Sequence, residues 1–111
     1  MLPYGYMDRI AALERMLQSN PGDAQLNYFL ATELANAGRL ADALAPIRRY
    51  LALKPDDQGA AYRMLGKALL ASGDAAEARA SFELGISQAL KHGHGGLADE
   101  LRGLIASIAN Q

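Results

Sequence analysis

The sequence predicts an all-α protein of about six helices, and three observations predict it. Apolar residues make up 50% of the chain, and many of them are alanine, the strongest helix former. Valine, a strand former, is absent. Five breaks, "SNPGD", "AGR", "KPDD", "SGD" and "KHGHGG", separate segments of helical length whose apolar residues recur every three or four positions.

The first helix is predicted near 7–19, with Ile10, Leu13, Met16 and Leu17 as its buried stripe. The second spans 24–37. Asp23 stands at its N-cap after Pro21, and Gly38 follows it, free to take the left-handed stop conformation. The third, near 40–53, contains Pro46. If it starts at Leu40, the proline removes one backbone hydrogen bond and bends it; alternatively it starts later. The fourth spans 58–71, with Asp57 as its cap after Pro55 and Gly73 beyond its end. The fifth, 75–91, opens on Asp74 with Glu77 three residues on, an acidic variant of the capping box, and stops at Gly93. The sixth spans 97–110, where Leu97, Leu101, Leu104, Ile105 and Ile108 pack back on the preceding repeat.

A length of 111 residues predicts one small domain. A net charge of −1 argues against a molecule built around a nucleic-acid or membrane field. Cysteine is absent, which excludes disulfides, thiolate nucleophiles and cysteine-type zinc sites. The start "MLPYGYMDRI" is not signal-like, and no stretch approaches about 18 apolar residues, so a cytoplasmic location is expected.

The middle of the chain repeats. Residues 23–55, "DAQLNYFLATELANAGRLADALAPIRRYLALKP", align with "QGAAYRMLGKALLASGDAAEARASFELGISQAL" at a spacing of 35 residues. Leu30 falls on Leu65, Ala31 on Gly66, Leu34 on Leu69, Gly38 on Gly73, Ala43 on Ala78 and Ile47 on Phe82. A helix-turn-helix unit at that period signals an α-solenoid. Gly66 and Ala78 are expected where the two helices of one repeat cross, since bulk there would separate them.

These residues resemble the tetratricopeptide repeat (TPR) family, whose pattern is an aromatic, Leu-Gly, a large residue, a turn, a small residue, an aromatic and a proline. Tyr62, Leu65, Gly66, Leu69, Ala78 and Phe82 match it, and Leu90 replaces the closing proline. The first repeat is looser: Asn27 stands at the aromatic place beside Tyr28, and Ala31 replaces the glycine, but it closes on Pro55. The resemblance implies a short right-handed α-solenoid of antiparallel helix pairs. It divides the chain into a half-repeat at 6–22, which resembles a second helix whose first helix is missing, repeats at 23–57 and 58–92, a glycine joint at 93–96 and a capping helix at 97–111.

Little catalytic chemistry is available. Asp56 and Asp57 read as a turn and a cap, and Ser72, Ser81 and Ser87 have no histidine at a telling spacing. Gly93, Gly95 and Ala98 fit the G-x-G-x-x-A dinucleotide fingerprint. A helix precedes them where a strand is needed, and the chain ends before an acidic residue about 20 positions later. His92 and His94 offer two metal ligands without a third nearby. No cofactor or metal is expected, and the segment reads as a helix stop and a joint.

The resemblance implies a non-enzymatic module that holds a peptide segment of a partner protein along its first helices. Carried over residue by residue, the lining is Gln25, Tyr28, Phe29, Thr32 and Asn36 from repeat one. Repeat two adds Arg63, Met64 and Lys67, and the capping helix adds Arg102. Some family members clamp a C-terminal carboxylate with Lys and Asn where this chain has Tyr28 and Thr32, so that clamp is not present. Arg63 and Lys67, four apart, neighbour each other on one helical face and suit an acidic or free-carboxylate peptide. An alternative is self-association through the first half-repeat, with Tyr4, Tyr6 and Met7 near it, although the sequence favours a monomer. A remote alternative is a metal-responsive regulator using His92 and His94.

Overall fold

The structure is a computed structural model that describes residues 5–110. It contains six α-helices: α1 Tyr6–Ser19, α2 Ala24–Asn36, α3 Leu44–Leu53, α4 Ala60–Ala71, α5 Ala75–Lys91 and α6 Gly95–Ala109. No strand occurs among the described residues. The helices form two compact units, Met1–Lys54 with α1 to α3 and Pro55–Gln111 with α4 to α6. Tyr4 lies outside the described residues, as does the side chain of Tyr6.

In the first unit α2 packs against both α1 and α3. Ile10, Leu17, Leu30, Leu34, Ile47 and Leu51 are buried, and Ala31 and Ala43 have no exposed surface. Asn27 is also fully buried, at a place where the repeat pattern expects an aromatic. Its amide nitrogen donates to the Pro21 carbonyl at 3.3 Å and the Asp23 carbonyl at 2.9 Å, and its oxygen accepts from Arg49 Nε at 2.7 Å. Full pairing is what allows a polar side chain to replace a ring there. The α1 stripe is narrower than its spacing suggests. Leu13 is half-buried and Met16 is 51% exposed.

In the second unit α5 is the central helix, packed against both α4 and α6. Ala61, Ala68, Leu69, Ala78, Phe82, Ala89, Ala98 and Leu101 are almost wholly removed from solvent. Gly66 lies against the Phe82 ring so closely that a β-carbon there would run into it. Of the predicted α6 stripe, Leu101 is buried, while Leu97, Leu104, Ile105 and Ile108 are half-buried.

Three helices stop by one device. The Arg39, Asp74 and His94 amides donate back to the Leu34, Leu69 and Ala89 carbonyls at 2.8, 2.9 and 2.7 Å. The residues before them, Gly38, Gly73 and Gly93, have φ of +78°, +88° and +77°. This double turn needs a left-handed residue, which glycine adopts without strain.

Helix starts differ from the sequence reading in three places. α3 begins at Leu44, after a run of turns over residues 40–43, so the later start holds. Pro46 then lies in the first turn, where backbone N–H groups have no partner within the helix to lose. α6 begins at Gly95 rather than near Leu97, so Gly95 and Gly96 are helical. The α4 cap is Gly59, not Asp57. Asp57 acts from two residues earlier, its Oδ2 accepting from the Gly59 and Ala61 amides at 2.8 and 2.9 Å. Asp23 and Asp74 cap as expected, accepting from the Leu26 and Glu77 amides, each at 3.0 Å. No helix among the described residues is long and apolar enough to cross a membrane.

Candidate functional site

Two concave surfaces, one in each unit, include residues expected at the site. The first lies between the starts of α4 and α6. Gly59 positions it: with φ of +117°, it brings the backbone so near α5 and α6 that a β-carbon would stand 2.9 Å from Leu97 Cδ2 and 3.0 Å from the Gly85 carbonyl. Beyond this contact the helices leave a pocket of about 560 Å³. Its polar walls are Gln58, Arg63, His94 and Glu100, and its floor includes Gly95, Gly96 and Leu97.

Arg63 Nη1 donates to Glu100 Oε1 across the pocket at 2.8 Å. The predicted basic spot is therefore partly neutralised. Arg102 pairs likewise with Asp99 at 2.9 Å. Lys67, half-buried on α4, has no carboxylate partner among the described residues. Met64 is half-buried on the same helix.

Both histidines border this region as hydrogen-bonding side chains. His94 Nε2 stands 2.8 Å from Gln58 Oε1, and His92 Nε2 stands 3.1 Å from Asp56 Oδ1. Lys91 Nζ also donates to Asp56 Oδ1, at 3.0 Å. Hydrogen bonds from Lys91 and then His92 hold the Asp56 carboxyl below the ordinary carboxylate range. Gln88 Nε2 and the Tyr62 hydroxyl donate to the Pro55 carbonyl at 3.0 and 2.7 Å. Burial raises the Tyr62 phenol, and the charges of Asp57 and Asp56 add to it. The irregular segment 55–58 is thus tied to the end of α5 and the start of α6. Among the described residues no three His, Asp or Glu side chains form a group suited to a metal ion.

The second surface lies between α1 and α2. It is an apolar groove of about 340 Å³ lined by Ala12, Leu13, Met16, Phe29 and Thr32, with Arg9 and Glu33 on its rim. Arg9 Nε and Glu33 Oε2 are 3.0 Å apart. Phe29 is 46% exposed.

Tyr28 and Phe29 consequently serve different surfaces. Phe29 opens on α1, whereas Tyr28 is half-buried with its ring centroid 4.9 Å from that of Tyr50 on α3, at a tilt of 60°. Gln25 and Asn36 are exposed on α2, and the half-buried Thr32 donates its hydroxyl to the Tyr28 carbonyl. The sequence reading missed Gln58, Glu100 and the α1 wall. Glu100 follows Arg63 by 37 positions, and only the rotation of α6 about its own axis brings the pair together.

No family model matches the chain. A curated relative, TPR repeat-containing protein PA0015 of Pseudomonas aeruginosa, is 34% identical over 84 residues, covering 76% of this chain and 79% of the relative. Among solved structures, the solution structure of protein BPP2914 from Bordetella parapertussis is similar, with a TM-score of 0.74 and 29% identity. That match covers 91% of this chain and 87% of the other.

Proposed function

Because this chain belongs to the tetratricopeptide-repeat family, we propose that it works as a non-enzymatic interaction module, with a partner segment held on the exposed face of α4. The observation that carries the reading is the α4–α6 pocket, where Arg63 and Glu100 face each other, with Lys67, which has no carboxylate partner among the described residues, four positions on along α4. A peptide carboxylate, from a side chain or a chain end, competes with Glu100 for the Arg63 guanidinium. Lys67 supplies a second positive charge one helical turn away. Gln58 and His94 add hydrogen-bonding groups at the rim. No step of this mechanism requires a covalent change, so the surface functions by shape and charge alone.

The test is an NMR titration with peptides that end in a free carboxylate, alongside amidated controls. The expected result is a set of shifts at Arg63, Lys67 and Arg102. Arg63→Glu/Lys67→Glu is expected to lower the affinity at least about tenfold, since it replaces two attractive charges by repulsive ones. Shifts confined to α3, at residues such as Arg48, would overturn the reading.

A further inference from the structure

We propose that the α1–α2 groove is the contact face between two copies of this chain, which meet about a two-fold axis running along the groove. The groove is apolar on its floor and flanked by half-exposed side chains, so it offers both a hollow and something to fill one. Met16 is 51% exposed and Phe29 46% exposed, both large enough to enter the corresponding hollow of a second copy.

The rim selects a second copy over a foreign helix. Among the described residues it carries one cation and one anion, Arg9 and Glu33, which face each other across the two helices. Such a rim is neutral in sum, so it gives no preference to an acidic or a basic partner. It is, however, complementary to itself. α1 and α2 run antiparallel, as the Arg9–Glu33 pair and the Met16–Phe29 end of the groove require. A two-fold axis parallel to them lays α1 of one copy over α2 of the other with equal heights preserved. Arg9 then meets Glu33 of the second copy, and Met16 meets its Phe29. The same contacts occur twice, as an isologous interface demands.

A contact about a two-fold axis closes at two copies. The groove is small, so the interface belongs with weak or transient contacts and a micromolar dissociation constant is expected. The inference does not depend on the peptide reading, which concerns other residues.

Sedimentation equilibrium on the full chain, from micromolar to millimolar concentration, is the primary test. A reversible monomer–dimer equilibrium is expected. Met16→Glu is expected to weaken it at least about tenfold, because the interface would bury an unpaired carboxylate, while circular dichroism confirms the helices. Arg9→Glu alone and Glu33→Arg alone are each expected to be monomeric; mixed together, they are expected to form a heterodimer, since opposite charges then meet only between copies. Arg63→Glu/Lys67→Glu is expected to leave dimerisation unchanged. A wild type that stays monomeric at millimolar concentration overturns the proposal and leaves the groove to a helix of another protein. A dimer indifferent to Met16→Glu, or a mixture no better than its parts, overturns it as well.

Discussion

Asp56 shows how single side chains set the chemistry of this molecule. It is the common acceptor for Lys91 and His92, and the pairing lowers the proton affinity of its carboxyl. The folded protein therefore keeps this group ionised to lower pH than the unfolded chain does. Its contribution to stability is fully present above about pH 4, the ordinary range of an aspartate, and is lost as the pH falls through the lowered folded value. The group is solvent-exposed, so the effect is expected to be small. Urea unfolding of the wild type and Asp56→Asn checks this: a gap in midpoint at pH 7 should shrink as acid neutralises the native carboxylate. A gap that widens in acid would contradict the assignment. Asn27 makes the complementary point, that an atypical residue is tolerated when each of its polar atoms has a partner.

At the scale of helices, α4 and α5 meet tightly where Gly66 lies against the Phe82 ring. Gly66→Ala is expected to cost about 1–3 kcal/mol, because the added methyl forces a rigid ring aside. Combining it with Phe82→Leu should cost less than the two single changes together, as thermal or urea unfolding can measure. This crossing was legible in the sequence, since Gly66 and Ala78 recur at the repeat spacing with Ala31 and Ala43. So were the glycine stops at Gly38, Gly73 and Gly93, which need only local backbone geometry. The start of α3 was not, because Pro46 is compatible both with a bent long helix and with a first turn. The start of α6 was misplaced because Gly95 and Gly96 look like punctuation, yet the first turn of a helix accepts them. The site was legible only in part. Arg63 and Lys67 are neighbours by spacing alone, but the Arg63–Glu100 pair and the turn of Phe29 toward α1 depend on how whole helices are rotated against each other.

For the whole molecule, the all-helical repeat reading and the family agree, and the surfaces divide the possible functions between them. The pocket of the second unit has mixed polar and apolar walls and is the one proposed for a carboxylate, while the groove of the first is mainly apolar and is the one proposed for self-association. Read alone, the sequence favours a monomer. The exposure of Met16 and Phe29 is the observation on which the proposed self-association rests. The two proposals separate experimentally, since charge reversal at Arg63 and Lys67 leaves the groove intact, and Met16→Glu leaves the pocket intact.

The tethering of segment 55–58 has a consequence for how the chain can be cut. A protease must draw several residues out into an extended strand before it can cleave, so the rate depends on how often the backbone comes loose. Irregular, polar and proline-containing, "KPDDQG" has the look of the most vulnerable bond region in the chain. Its ties to Gln88, Lys91, His92, His94 and Tyr62 oppose that release. Brief subtilisin digestion of the native protein is accordingly expected to spare Asp56–Gln58, and His92→Ala/His94→Ala to open it to nicking while the urea midpoint barely moves. Early cleavage of the unmodified protein there would show that the ties do not hold the strand shut.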